Sequence, residues 1–167
     1  MRTVKGNETT EAKEVAVEKK ITVNECYILN SAIGNLSSTC PSMKGKVVFA
    51  LQKNEAKVES VLKKMDKKRQ AIVDKFIKLD KEGNPVLTTP SEEEIANGAR
   101  QEYIYKKESD KEIAAKEVGE LMNQEVDIEF HKIWMNDFEK LDIATARNPN
   151  IGIFIKYLVS EAYDLRD

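Results

Sequence analysis

The sequence feature that most constrains this fold is an apolar residue at every seventh position between residues 44 and 79. The series consists of Leu51, Val58, Met65, Ile72 and Leu79, and Val48, Leu62 and Phe76 flank it. Because no proline or glycine follows Gly45 within this stretch, it predicts a helix of roughly 30 residues, about 45 Å long. A sevenfold apolar seam is buried against another helix. The pattern therefore predicts both a long helix and a partner for it.

The segment that follows predicts a chain reversal and a returning helix. LDKEGNPV at residues 79–86 contains Gly83 and Pro85, which favour a turn. It lacks the ligand spacing of an EF-hand and the glycine spacing of a phosphate loop. LTTPSEEEIANG at 87–98 is typical of a loop. Ser109 and Glu112 then have the spacing of a capping box, which predicts the start of a second helix. We therefore expect an antiparallel helical hairpin.

Other segments predict shorter elements around this hairpin. Asn24 is placed to cap a short amphipathic helix. EYIYK at 102–106 and VDIEFHKI at 126–133 alternate as strands do. Helices are expected around 136–141 and after the Asn-Pro pair at 148–149. The predicted fold class is α+β, mostly helical: a long antiparallel helical hairpin with a small two- or three-stranded β-sheet and C-terminal helices.

Composition separates a charged arm from a single domain. Residues 1–20 carry many charges and almost no large apolar side chain, so they predict a flexible N-terminal arm. Residues 21–167 are long enough for one α+β domain. Cys26 and Cys40 match neither a CxxC pair nor a disulfide framework, which favours buried thiols in a reducing cytosol. No apolar run reaches the ~20 residues that span a bilayer, so no membrane partner is expected.

Charge is distributed unevenly although the net charge is only −2. Residues 44–78 hold 11 Lys/Arg against 4 Asp/Glu, and residues 79–167 hold 11 against 20. One interpretation is a nucleic-acid surface on the long helix, using Lys63, Lys64, Lys67, Lys68 and Arg69. The other, which we favour, is that the basic helix packs against acidic neighbours in the same molecule. Phe49 and Phe76 lie among apolar positions of the helix, so the sequence offers no exposed stacking platform.

Few residues are suited to catalysis. His131 is the only histidine, so a catalytic triad or a Cys-His pair would require it. Asp127, Glu129 and His131 alternate on one side of a predicted strand and could bind an ion, but successive members would lie about 6–7 Å apart. Such a row is more typical of the solvated face of an edge strand. We therefore predict no catalytic residue, no cofactor and no metal.

The most apolar segment, IGIFIKYLV at 151–159, suggests a surface for a protein partner. Ile153, Phe154, Tyr157 and Leu158 recur at helical spacing within it. Together with the sevenfold seam, this segment favours a non-enzymatic protein that binds another protein or a second copy of itself.

The order of these segments resembles a known family. The segments that carry the resemblance are ITVNECYILNSAIGNL, ALQKNEAKVESVLKKMDKKRQAIVDKF, LDKEGNPV, LMNQEVDIEFHKI and DFEKLDI. Over about residues 21–163, the chain resembles a family of small uncharacterised proteins of tailed bacteriophages and prophages, whose function is unknown. The resemblance implies an accessory protein in the bacterial host cytoplasm or in the virion. Its partner would be a phage structural protein or a host protein, and the resemblance supplies no catalytic residues.

Overall fold

A computed structural model of the chain describes residues 19–39, 43, 45–139 and 150–160. Its elements in chain order are β1 (Lys19–Thr22), α1 (Val23–Thr39), α2 (Gly45–Phe76), α3 (Glu92–Ala96), α4 (Asp110–Met122), β2 (Glu125–Ile128), β3 (Ile133–Trp134), α5 (Met135–Glu139), α6 (Ile151–Leu158) and β4 (Val159–Ser160). The α+β, mostly helical fold class that the sequence predicts is confirmed. Residues 1–18, Cys40 and the Asn-Pro pair at 148–149 lie outside the described residues.

The long helix α2 buries its apolar stripe against two other helices. Leu51, Val58 and Met65 of the sevenfold series are buried, and Ile72 is partly buried. Leu79 is 45% exposed and lies beyond the end of the helix. Helix α1 packs against α2, and so does α4, which completes the predicted hairpin. The seam is thus buried within the chain as far as Met65. The prediction that Leu79 continues the seam of the long helix is wrong.

The sequence predicts Asn24 as the cap that precedes helix α1. The helix instead begins at Val23, one residue before Asn24. The hydroxyl of Thr22 accepts a hydrogen bond from the Glu25 amide at 3.2 Å. The Glu25 carboxylate in turn accepts one from the Thr22 amide at 3.0 Å. Because this reciprocal capping box satisfies the first orphan amides of the helix, Asn24 is an exposed residue within its first turn.

Two small sheets lie beside the helices in the described part of the chain. Strands β1 and β2 pair antiparallel, with Lys19 opposite Ile128. The predicted arm at 1–20 is therefore wrong at its end, because Lys19 and Lys20 belong to β1. Strands β3 and β4 pair parallel, with Ile133 opposite Val159. The segment predicted as one strand at 126–133 is interrupted between β2 and β3, although its alternation of buried and exposed side chains is confirmed.

Three extended segments close the far end of the hairpin. We call this end, residues 77–113, the tip. The amide of Lys78 donates to the carbonyl of Ile104, that of Ile104 to Val86, and that of Val86 to Lys78, at 2.7–2.9 Å. EYIYK is therefore extended as predicted, but it forms isolated bridges with two neighbours rather than a regular strand. This cycle of hydrogen bonds folds the tip with few buried side chains.

Capping differs from the sequence prediction in the tip. The segment predicted as a loop contains α3, which is opened by a capping box between Ser91 and Glu94. The predicted box at Ser109 does not form, because Ser109 has helical backbone angles and makes no side-chain cap. The Asp110 carboxylate instead accepts a hydrogen bond from the Lys107 amide, which precedes the helix, at 3.1 Å.

Candidate functional site

The predicted partner-binding segment lies inside the folded core. Phe154, Tyr157 and Leu158 are 0–1% exposed, and Ile153 packs against the same cluster. They contact side chains of α1, the first half of α2 and β2. Phe154, Tyr157 and Leu158 are therefore core residues and Ile153 is partly buried, so the prediction that the four form an accessible binding surface is wrong.

A hydrogen-bond network holds α6 against the start of α1. Glu25 accepts hydrogen bonds from the Lys156 ammonium and the Tyr157 hydroxyl, both at 2.8 Å. Burial alone would raise the pKa of Glu25, but the bonds from Lys156, the Thr22 amide and Tyr157 outweigh it and lower the pKa to about 2. The carboxylate is thus ionised and fully engaged at neutral pH, as expected of a structural contact.

The exposed large apolar side chains concentrate in the tip. Seven such side chains are exposed among the described residues, and five of them belong to the tip: Leu79, Leu87, Ile95, Tyr103 and Ile113. Leu87 and Tyr103 face each other across an isolated bridge and line an open groove of about 660 Å³ with Pro85 and Tyr105. An exposed groove lined by apolar side chains in this way is typical of an interaction site. In the sequence, this surface is indicated by the large apolar residues that occur within a polar segment predicted to be a loop.

The tip also has an acidic character. Residues 77–113 hold nine Asp/Glu against six Lys/Arg, a net charge of −3. At the rim of the groove, Lys111 pairs with Glu102 at 3.0 Å. The tip therefore combines apolar side chains with a negative field.

The reversal LDKEGNPV is a self-contained turn. The Asp80 carboxylate accepts hydrogen bonds from the amides of Glu82 and Asn84 at 2.9 and 2.8 Å. The bond from the Asn84 amide is the main reason that the pKa of Asp80 is lowered. Gly83 has φ +85°, a conformation that favours glycine. The turn predicted from Gly83 and Pro85 is confirmed, and its carboxylate is occupied by its own backbone.

The predicted basic residues of α2 are all exposed, but they do not share one face. Lys63 pairs with Glu59 at 3.6 Å, and Arg69 pairs with Asp66 at 3.3 Å. At about 100° per residue, Lys67 lies opposite the buried stripe, whereas Arg69 lies in line with Val58. The five residues therefore form no single patch.

The side chains that could bind a metal or act as a nucleophile are also separated from one another. Asp127, Glu129 and His131 are exposed, and no three His, Cys, Asp or Glu side chains within the described ranges are arranged to hold a metal ion. Cys26 is buried, and burial together with the charge of Glu25 raises the pKa of its thiol to about 11. A thiol with so high a pKa is a poor nucleophile at neutral pH.

The backbone of His131 has a structural role instead. The side-chain amide of Asn54, which is 0% exposed, donates to the His131 carbonyl and accepts from the His131 amide, both at 2.8 Å. Asn54 thus pairs with both backbone polar groups of one residue, as a neighbouring strand would.

Comparisons with known proteins add no relative. No protein-family model, no curated protein and no solved structure matches this chain. Among the described residues, no helix combines the length and apolar character required to cross a membrane. Function must therefore be argued from the surface of the fold.

Proposed function

We propose that this chain is a non-enzymatic accessory protein that binds another protein through the tip of its helical hairpin. The observation that carries the proposal is that five of the seven exposed large apolar side chains of the described residues lie in residues 77–113. The tip is folded by backbone hydrogen bonds and Asp80, so its apolar side chains are left available for contact.

The charge of the tip indicates the chemistry of the partner. With a net charge of −3 across residues 77–113, the tip favours a partner segment that carries Lys or Arg beside apolar side chains. Leu87 and Tyr103 would contact the apolar side chains, and Glu92, Glu93 and Glu94 of α3 would steer the basic ones. Aromatic and aliphatic anchors in a groove supply most of the binding energy of such interfaces.

The resemblance to proteins of tailed bacteriophages sets the biological context of the proposal. The partner would be a virion or tail component, or a bacterial host protein that the phage blocks. The chain would then act in the host cytoplasm or within the virion. A second copy of this chain is the competing occupant of the tip.

The test uses the full chain with an affinity tag, expressed in host cells during phage growth. The double variant Leu87→Ser with Ile95→Ser should lose the captured protein, whereas Phe49→Ser should retain it. Phe49 is a suitable control because it is as exposed as Ile95, at 55% against 56%, but lies outside the tip. Circular dichroism checks that all variants fold.

Three outcomes decide the matter. The proposal is supported if one defined captured protein is lost with the tip variant and retained with Phe49→Ser. Equal capture by the tip variant and the wild type refutes the assignment of the site. A tip-dependent dimer in light scattering, with no other protein captured, would replace the foreign partner with a second copy.

A further inference from the structure

Six of the eight lysines of α2 form a straight row along one side of the helix. The row consists of Lys46, Lys53, Lys57, Lys64, Lys68 and Lys75, which follow one another at spacings of seven, four, seven, four and seven residues. Because eleven residues make almost three whole turns, the six side chains fall within an arc of about 60° over about 44 Å of helix. The other residues of α2 within this arc are Ala50 and Ala71. We call this set the lysine row.

The acidic residues of α2 lie mainly on the opposite flank. Glu55, Glu59 and Asp66 project about 150° or more away from the centre of the row. Asp66 accepts a hydrogen bond from Tyr27 of α1, so α1 lies on that flank beside Asp66. The row is therefore free of acidic side chains of its own helix, and Lys63, Lys67 and Arg69 lie outside it.

Both ends of the row and Lys57 are engaged within the molecule, since the Lys57 ammonium donates a hydrogen bond to the Glu129 carbonyl, and the other three lysines are open. Lys46 pairs with Asp137 of α5, and Lys75 pairs with Glu117 of α4 at 3.4 Å. Lys53, Lys64 and Lys68 are exposed and form no ion pair with any other residue that the structure describes. The predicted pairing of the basic helix with acidic neighbours thus holds at the ends of the row, and Lys53, Lys64 and Lys68 are directed to solvent.

Exposed aromatic rings lie beside the first part of the row. Phe49 is 55% exposed, so the expectation that it belongs to the buried apolar positions is wrong. The ammonium of Lys53 lies 5.4 Å from the centre of its ring, and the His131 ring meets it edge-on at 6.2 Å. Trp134, 37% exposed, lies beside Lys46.

We propose that the lysine row binds a single-stranded nucleic acid, with phosphates on Lys53, Lys64 and Lys68 and bases stacked on Phe49 and Trp134. A row of regularly spaced cations matches a polymer that carries one charge per nucleotide. Exposed aromatic rings next to such cations favour a single strand over a duplex, because only unpaired bases present free faces for stacking. This activity is independent of protein binding at the tip.

The protein reports its own binding, because Trp134 is its only tryptophan. The full chain is titrated with a thymidine oligonucleotide of about 20 nucleotides in about 50 mM salt, and tryptophan fluorescence is recorded. We expect saturable quenching that weakens steeply with added salt. Quenching by a duplex of equal length at lower concentrations would overturn the assignment to single strands, and absence of any binding would overturn the proposal.

Matched variants locate the site. The triple variant Lys53→Gln, Lys64→Gln and Lys68→Gln should weaken binding at least tenfold and reduce the slope of log affinity against log salt by about 2. The control Lys78→Gln, Lys81→Gln and Lys107→Gln removes equal charge from exposed positions outside the row and should change affinity less than threefold. Equal losses in both variants would show that binding follows net charge and would refute the site.

The aromatic contribution has a separate test that does not depend on charge. Phe49→Ala should weaken oligonucleotide binding about tenfold and leave the salt slope unchanged, because stacking releases no counterions. An unchanged affinity would remove the stacking platform from the proposal. Fluorescence anisotropy of a labelled oligonucleotide provides this measurement for every variant.

Discussion

Replacing Asn54 should test how the seam of the long helix is satisfied. Its side chain is fully buried and makes two hydrogen bonds of 2.8 Å with the backbone of His131. Asn54→Ala would leave the backbone amide and carbonyl of His131 without their partner. Each buried unpaired group costs about 1–3 kcal/mol. Because the His131 side chain is exposed and water can reach the site in part, we expect a total loss of about 2–4 kcal/mol.

Asn54→Asp should separate the two hydrogen bonds. An aspartate still accepts from the His131 amide, but its second oxygen would meet the His131 carbonyl and its charge would be buried. Burial beside a carbonyl raises the pKa of a carboxyl, so the folded state binds the proton more tightly than the unfolded state. The deficit of this variant should therefore be largest at neutral pH and should shrink as the pH falls towards 4.

Urea denaturation followed by circular dichroism measures these changes through the midpoint at constant slope. Gln52→Ala is the matched control, because Gln52 is exposed on the same helix. It should change the free energy of unfolding by less than about 0.5 kcal/mol.

Asn54→Leu provides the result that would refute this reasoning. In an intermolecular coiled coil, a buried asparagine lowers stability and specifies the oligomer, so leucine would stabilise the assembly. In the fold described above, leucine removes both bonds to His131 and should destabilise the monomer. A stabilised variant with a changed oligomeric state in light scattering would show that the seam pairs two chains.

Three further predictions concern capping and turns. Glu25 has a pKa lowered from 4.5 to about 2, so its contribution of about 1–2 kcal/mol is complete above pH 4.5 and is lost as the pH falls towards 2. Glu25→Gln should remove this part of the acid dependence in thermal melts, and an unchanged pH profile would contradict the network. Gly83→Ala should destabilise the fold by about 1 kcal/mol because φ of Gly83 is +85°, whereas Gly34→Ala within α1 should stabilise it by a similar amount. Denaturant midpoints that shift in the same direction for both variants would be inconsistent with the turn. Ser91→Ala should speed hydrogen exchange of the α3 amides several-fold with little change in global stability, and equal acceleration in α4 would argue against an independent cap.

Local patterns predicted elements well and their ends less well. The signature of Ser or Thr followed three residues later by Glu occurs at Thr22, Thr89, Ser91 and Ser109, and a capping box forms at Thr22 and Ser91. A capping serine requires an extended backbone, as Ser91 has with ψ 164°, whereas Ser109 has ψ −20°. The neighbouring turn sets that angle, so spacing alone does not determine which box forms.

Tertiary context explains the errors at the candidate sites. The apolar period of Phe154, Tyr157 and Leu158 is the same whether a helix faces a partner or its own core, and here α1 and α2 cover it. Phe49 shows the reverse, since it lies next to buried positions in sequence but is rotated out of the stripe. The tip surface was missed because Leu87 and Tyr103 come together only through backbone bonds between distant segments.

Burial of the α2 seam within the chain limits the surfaces through which this protein can bind other molecules. Leu51, Val58 and Met65 are buried by elements of the same chain, and Asn54 is paired with His131. A second helix could reach this stripe only by displacing α1 or α4, at the cost of the core contacts that they make. Surfaces that need no such opening are the tip, with its exposed apolar side chains, and the lysine row. Because these two surfaces differ in charge and share no residue, the tip variant and the row variant should each abolish one activity and leave the other intact. Loss of both activities in either variant would show that the two surfaces depend on one folded unit and would require a different assignment.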